Sequence, residues 1–249
     1  MPVKKKTKAP GQGMTAKQMK RRKPISQDYM LPIEPLTDNQ KVMFDAWDEG
    51  KMIYAYGVAG TGKTFVALYK ALKEVLDDYS PYEKIYIVRS LVATREIGFL
   101  PGDHEDKSSL YQIPYKNMVQ AMFEMPDDNS YEMLYDNLKA QETISFWSTS
   151  FIRGTTLDNS IVIIDECQNL NFHELDSIIT RVGQDSKIIF CGDAAQTDLQ
   201  KISERTGIID FQRILQNMEE FSMIEFGIED IVRSGLVKSY LINLSLIHI

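Results

Sequence analysis

The sequence predicts an α/β domain in which a mostly parallel β-sheet is flanked by helices. Short apolar runs alternate along the chain with segments whose apolar residues recur at helical spacing. Runs such as IVII (161–164) and KIIF (187–190) do not alternate between apolar and polar residues, which is typical of strands buried on both faces. Because strands separated by helices form β-α-β units, we expect most of the sheet to be parallel.

Five strands and three main helices follow from these patterns. The predicted strands are 51–56, 84–89, 143–148, 160–166 and 187–193. The predicted helices are 38–49, 65–76 and 172–182, the first of them capped by Thr37. Residues 101–142 fit the alternation poorly because they contain three prolines and many acidic residues. We expect them to form a helical insertion, with helices near 115–125 and 130–139.

Charge divides the chain into an arm and a body. The 249 residues carry 28 Lys and Arg against 35 Asp and Glu, and residues 1–23 contain nine of the basic residues and no acidic one. We expect a disordered basic arm (1–30), one folded domain (31–242) and an apolar tail (243–249) that does not belong to the fold. The arm would either bind nucleic-acid phosphates or remain a solvated tail.

Several classes of protein are excluded by composition. No window reaches the roughly 18 consecutive apolar residues of a membrane span, and no secretory signal is visible. Two cysteines, Cys167 and Cys191, are too few for a disulfide framework. We therefore expect a cytoplasmic protein without a membrane partner.

The segment GVAGTGKT (57–64) satisfies the phosphate-loop pattern G-x-x-x-x-G-K-[ST] between a strand and a helix. Its glycines allow backbone N–H groups to turn toward phosphate oxygens, and the helix N-terminus adds a favourable dipole. Lys63 is expected to reach the β- and γ-phosphates, and Thr64 to bind Mg²⁺. The predicted ATP-binding residues of this segment are Gly57, Val58, Ala59, Gly60, Thr61, Gly62, Lys63, Thr64 and Phe65.

Two later strands end in polar residues that suit the same site. The fourth strand ends in Asp165-Glu166, where Asp165 would hold Mg²⁺ and Glu166 would act as general base toward water. After the fifth strand, the neutral amide of Gln196 would contact the γ-phosphate or the attacking water. The alternatives are a pair of solvated acids and an ordinary turn. Asp165-Glu166-Cys167-Gln168 and Gly192-Asp193-x-x-Gln196 resemble motifs II and III of superfamily 1 helicases.

Taken together, the chain resembles the PhoH-like family of phosphate-loop ATPases, most closely its phage-encoded members. The resemblance covers residues 31–242. It rests on the segments TDNQ (37–40), GVAGTGKT (57–64), REIGFLPGDHEDK (95–107), FIRGTTLDNSIVIIDECQN (151–169), TRVG (180–183), GDAAQTDL (192–199) and IEDIVRSGLV (228–237). In two places the chain departs from the family: Cys167 stands where alanine is usual, and the segment after GFLPGD is longer and more acidic.

The resemblance implies a single RecA-like domain that hydrolyses ATP with Mg²⁺ in the cytoplasm. If the protein is encoded by a phage, this is the cytoplasm of the bacterial host. RNA-linked and helicase-like roles are suggested for parts of the family. The same resemblance implies that Gln40 recognises adenine, because its side-chain amide is able to form two hydrogen bonds with the edge of the base. The alternative is that Gln40 is an ordinary residue on the surface of a helix. Catalytic roles are expected for Lys63, Glu166 and Gln196.

A two-domain helicase supplies arginines to the transition state from its second RecA domain. Only 57 residues follow Gly192 here, so we expect slow hydrolysis unless a neighbouring subunit supplies an arginine. This predicts a homo-oligomeric ring, a hexamer, with Arg153, Arg181 and Arg233 as candidates. Ordinary surface ion pairs are the alternative for each of them.

Three functions compete for this sequence. The leading one is an ATPase that acts on RNA or single-stranded DNA; the second is an ATP-dependent switch or assembly factor for proteins; the third is a small-molecule kinase. Glu166 and Gln196 argue against the kinase, because transfer to a bound substrate does not require a water-activating group. Tyr111, Tyr115 and Phe123 are able to stack on bases, although their helical spacing favours core packing.

Overall fold

A computed structural model describes residues 25–89, 104–152, 154–193 and 202–247. Within these ranges the chain forms one sheet of six strands. The strands are β1 (Met52–Gly57), β2 (Lys84–Arg89), β3 (Ile144–Trp147), β4 (Ser160–Asp165), β5 (Lys187–Gly192) and β6 (Phe221–Phe226). Every pairing between them is parallel, which confirms the predicted fold class.

The strand order is β3-β2-β4-β5-β1-β6. Strand β5 therefore lies between β1, which leads into the phosphate loop, and β4, which ends in Asp165. Because all strands run the same way, their carboxyl ends meet at one edge of the sheet. Arg89 is directly in register with Asp165 at that edge, and Tyr56 with Gly192.

Helices cover both faces of the sheet. They are α1 (Asp38–Asp48), α2 (Lys63–Leu76), α3 (His104–Gln120), α4 (Asp128–Ala140), α5 (Thr149–Ile152), α6 (Phe172–Ile179), α7 (Ile202–Gln216) and α8 (Gly235–Ile247). The predicted cap is confirmed, since the Thr37 side chain accepts a hydrogen bond from Gln40 N at 3.3 Å. Among the helices of the described ranges, none is long and apolar enough to cross a membrane.

Two hydrophobic clusters lie on the two faces of the sheet, as the unbroken apolar runs predict. Residues of a strand point alternately to opposite faces. In β4, Ile161 and Ile163 join the cluster covered by α1 to α4, whereas Val162 and Ile164 join the other cluster. Asp165 continues the series of Ile161 and Ile163, so its side chain faces the side on which α3 packs.

The sequence patterns miss or misplace several elements. Strand β6 is not predicted, because an edge strand is only partly buried and its sequence FSMIEF lacks a continuous apolar run. Helices near 115–125 and 130–139 are confirmed as α3 and α4, but α3 begins earlier and contains Pro114. Helix α8 runs through residues 243–247, which the sequence analysis assigns to a tail outside the fold.

Candidate nucleotide-binding site

The phosphate loop connects β1 to α2, and its backbone conformation depends on glycine. Gly57 has a φ of +119°, and a Cβ there would lie 2.1 Å from the backbone oxygen of Phe226 in β6. That carbonyl also accepts a hydrogen bond from Val58 N at 2.9 Å. Gly60 and Gly62 have positive φ values of 76° and 85°. The loop is therefore seated against the missed strand β6.

Replacing Gly57 by Ala is expected to displace the loop, because the added methyl group clashes with backbone rather than with a flexible side chain. We expect loss of nucleotide binding and a fall in the free energy of unfolding of about 1–3 kcal/mol. Gly50→Ala is the matched control, since Gly50 also has positive φ (+81°) but has no atom within 4 Å of the added methyl. Binding titration and thermal unfolding of both variants test this, and equal losses in the two would contradict it.

Lys63 lies at the centre of the loop. Its ammonium group donates to Val58 O at 2.7 Å, to Gly57 O at 3.2 Å and to Thr61 Oγ1 at 3.2 Å. Burial lowers the pKa of Lys63, and the nearby charge of Asp193 opposes that shift. The structure thus places the predicted phosphate-binding cation inside the predicted loop.

The two predicted magnesium ligands are in direct contact. Thr64 Oγ1 donates to Asp165 Oδ1 at 2.7 Å, although the two residues are 101 positions apart. Hard oxygen donors of this kind fit Mg²⁺, which keeps several waters and takes few protein ligands. The residues present therefore fit the implied metal, with Thr64 and Asp165 as those that would hold it.

A second donor reaches the same carboxylate. The Tyr115 hydroxyl donates to Asp165 Oδ2 at 2.6 Å, and both side chains are buried. Burial, followed by the charge of Asp165, raises the pKa of Tyr115 far above its usual value, so the phenol remains a donor at neutral pH. Tyr115 and Phe123 are both core residues, which confirms core packing for these two aromatic residues. The side chain of Tyr111 lies outside the described ones.

Glu166 lies at the same edge in a left-handed backbone conformation (φ 52°) that is uncommon for a residue other than glycine. Its carboxylate accepts from Gln168 Nε2 at 2.5 Å and lies 3.9 Å from the Arg89 guanidinium. The other amide atom of Gln168, Oε1, accepts from Asp193 N at 2.9 Å. Gln168 therefore links Glu166 to the end of β5.

Cys167 packs against Gly192 at the end of β5, next to Gln168. A Cβ at Gly192 would lie 2.6 Å from its Sγ, so the end of β5 approaches the thiol closely. Burial raises the pKa of Cys167 to about 12. The thiol is consequently protonated at neutral pH, and Cys167 is a buried packing residue.

Gln40 is buried beside the loop. Its side-chain amide donates to Thr61 O at 2.8 Å and accepts from Leu36 N at 2.8 Å. These bonds join the phosphate loop to the segment before α1, a structural role that the sequence does not predict. Each amide atom keeps a second hydrogen-bonding position, so adenine recognition by Gln40 stays a prediction.

The candidate arginines fall in different places. Arg233 lies against its own phosphate loop, since a Cβ at Gly60 would be 2.9 Å from its Cγ, and Val232 N donates to Gly60 O at 3.1 Å. Arg233 thus lies at the site of its own chain, so its supply by a neighbouring subunit is not needed to bring it to a phosphate loop.

Arg181 lies at the opposite edge of the sheet. Its backbone oxygen accepts from Leu157 N at 2.9 Å, just before β4 begins, whereas Asp165 ends that strand. Six strand residues span roughly 20 Å. Arg181 is thus unable to reach the phosphate site of its own chain. Arg153 and Gln196 lie outside the described residues, so their predicted roles remain predictions.

Most of these side chains line one open cleft of about 700 Å³ at the carboxyl edge of the sheet. Predicted residues on its wall are Gln40, Ala59, Gly60, Thr61, Gly62, Lys63, Thr64, Phe65, Asp165, Glu166 and Arg233. Arg89, which the sequence analysis does not single out, also lines the cleft, and so does helix α3 of the predicted insertion. A signal existed for Arg89, which is a charged residue at the end of a buried strand, as Asp165 is. None existed for Tyr115, whose contact spans 50 positions.

Comparison with known proteins identifies the family of this chain. The PhoH-like protein family matches residues 32–244. The PhoH-like protein of Mycobacterium leprae (strain TN) is 32% identical over 206 residues, which are 82% of this chain and 56% of that protein. The PhoH-like protein of Bacillus subtilis (strain 168) is 32% identical over 210 residues, 81% of this chain and 60% of that protein. The chain thus spans little more than half the length of these relatives.

A solved structure with a distant likeness is that of the large terminase from a thermophilic bacteriophage. It is 12% identical with a TM-score of 0.47, and the match covers 83% of this chain and 49% of the terminase chain. The family match spans nearly all of the described residues, including the phosphate loop, the Asp165-Glu166 strand end and the segment that carries Arg233. The chain therefore belongs to the PhoH-like protein family.

Proposed function

We propose that this protein binds ATP with Mg²⁺ in the cleft and hydrolyses it. The observation that carries the proposal is the 2.7 Å contact of Thr64 with Asp165, made between the first turn of the phosphate-loop helix and the end of β4. Lys63, the Thr64–Asp165 pair and the carboxylate of Glu166 all line the same cleft. Such a set is suited to hydrolysis of a nucleoside triphosphate.

Each group has a role that follows from its chemistry. Lys63 and the loop N–H groups bind the β- and γ-phosphates, and Gln40 selects adenine. Mg²⁺, when bound, would neutralise charge on the phosphate oxygens. Glu166 accepts a proton from the attacking water, and Gln196 contacts the γ-phosphate. Arg89 and Arg233 add positive charge to the cleft wall, where negative charge develops during transfer.

We further propose that RNA or single-stranded DNA is bound and regulates turnover, and that the protein works as a homo-oligomeric ring. Family membership and the basic arm support the first point. The position of Arg181, far from the site of its own chain, supports the second. Helicase-like action on the nucleic acid belongs to the same proposal.

Single-stranded RNA is expected to stimulate ATP turnover, and the stimulation should fall steeply as salt is raised from about 50 to about 200 mM, because phosphate contacts release counterions. Steady-state phosphate release with and without RNA measures this. A variant lacking residues 1–23 should retain basal turnover and lose part of the stimulation. If neither RNA nor single-stranded DNA changes the turnover rate at low salt, the result would favour the alternative function, an ATP-dependent switch for proteins.

A further inference from the structure

Tyr115 reaches the phosphate site from helix α3 and is not part of the chemistry proposed above. Its side chain is 2% exposed, and its hydroxyl donates to Asp165 Oδ2 at 2.6 Å. The other carboxylate oxygen, Oδ1, accepts from Thr64 Oγ1 at 2.7 Å. Because the two donors bind different oxygens, rotation of the Asp165 carboxylate would break at least one of these bonds.

The tyrosine is itself held in place. Its ring packs against Phe146 of β3 with ring centroids 5.4 Å apart. Arg89, which is in register with Asp165 on the next strand, places its positive charge near the phenol. The ring packing against Phe146 thus holds the hydroxyl that donates to Asp165.

The chemistry of the donor suits a carboxylate that must bind a dication. A phenol is neutral, so it orients Asp165 without competing for its negative charge as Lys or Arg would at the same distance. Burial of the hydroxyl also excludes water from Oδ2. Oδ1 is the oxygen that lies beside Thr64, on the side of the phosphate loop.

We propose that Tyr115 is a positioning residue for the magnesium-binding carboxylate, holding Oδ2 so that Oδ1 and Thr64 face the metal together. This inference rests on the proposed function, because it takes Asp165 and Thr64 as the residues that hold Mg²⁺. Loss of a hydrogen-bond partner behind a metal ligand commonly weakens metal affinity by about 10–100-fold. Helix α3 thereby becomes part of the metal site.

Tyr115→Phe keeps the packed ring and removes only the hydroxyl. We expect Mn²⁺ to bind the protein–ADP complex about 10–100-fold more weakly, as measured by electron paramagnetic resonance of free Mn²⁺. ADP affinity without metal should be unchanged, since the phosphate loop is intact. Tyr131→Phe is the matched control: Tyr131 is a buried tyrosine of α4 whose hydroxyl donates to Lys116 O on α3, away from Asp165.

These outcomes distinguish failure of the positioning role of Tyr115 from failure of the proposed function. Wild-type Mn²⁺ affinity in Tyr115→Phe overturns the positioning role, and so does an equal loss in Tyr131→Phe, which would indicate general loosening of α3. Asp165→Asn tests the proposed function itself. If it binds Mn²⁺ as the wild type does, the metal-binding assignment of Asp165 fails, and the role of Tyr115 fails with it. Thermal unfolding of each variant confirms that it is folded.

Discussion

Replacement of Glu166 by Gln is expected to slow ATP hydrolysis by about 10²–10⁴-fold, the usual contribution of a positioned general base. Glutamine has nearly the same size, but it is unable to accept a proton from water. ATP binding should survive, because Lys63 and the loop glycines are unchanged. Single-turnover hydrolysis and a binding titration with a fluorescent ATP analogue measure the two effects separately.

The prediction for Glu166 is supported by how its carboxylate is held. Its backbone is held in a left-handed conformation, and Gln168 and Arg89 orient its carboxylate at the carboxyl edge of the sheet. Glu225→Gln is the matched control, since Glu225 is an exposed glutamate near the same edge in β6 and bonds Tyr56 at 3.3 Å. Wild-type turnover in Glu166→Gln would refute its role as base.

Arg181→Ala is expected to lower turnover by about 10³–10⁵-fold, the contribution of an arginine supplied across a subunit junction. ATP binding should persist. Arg181 lies at the edge of the sheet opposite its own phosphate loop, and its Nε is buried without a hydrogen-bond partner in the described part of the chain. The trans role requires a head-to-tail ring in which the edge that carries Arg181 faces the cleft of the next subunit.

A mixing experiment distinguishes supply by a neighbour from action within one chain. Glu166→Gln and Arg181→Ala subunits are each inactive, yet about a quarter of the junctions in a random mixed ring combine an intact glutamate with an intact arginine. We therefore expect turnover to recover to about a quarter of wild type on mixing, in proportion to those junctions. No recovery, or wild-type turnover in Arg181→Ala alone, would contradict the trans role.

Arg233→Ala provides the matched control for mixing. Arg233 lines the cleft of its own chain, so every junction formed from Arg233→Ala and Glu166→Gln subunits lacks one of the two groups. Mixing these variants should recover no activity. Recovery in this pair would mean that the ring places Arg233 differently from the single chain.

The parts of the site that the sequence predicts well are those whose residues lie next to a recognisable strand in the chain. The phosphate loop, Asp165 and Glu166 follow buried strands directly, and in a parallel sheet all strand ends meet at one edge. Knowing the fold class was therefore enough to place Lys63, Thr64 and Asp165 together. Strand β6 was missed because an edge strand need not be continuously apolar, although it seats Gly57.

Side chains that meet across long separations carry no comparable signal. Helical spacing predicts that Tyr115 is a core aromatic residue, and it is one. Its hydroxyl contacts Asp165 only because α3 packs on the face of the sheet to which Ile161, Ile163 and Asp165 point. Arg181 and Arg233 are equally plausible as arginines supplied by a neighbour when only residue type and motif are known. Their distances from the loop differ because they lie at opposite edges of the sheet.

The sequence by itself thus determined the fold class, the phosphate loop and the acidic strand end, since each depends on residues that are adjacent or periodic in the chain. Only the tertiary structure decided which arginine lies beside the phosphate loop of its own chain and which hydroxyl donates to Asp165. Those placements depend on how the helices pack on the sheet and on how β6 pairs with β1, which are set by contacts between distant residues rather than by local pattern.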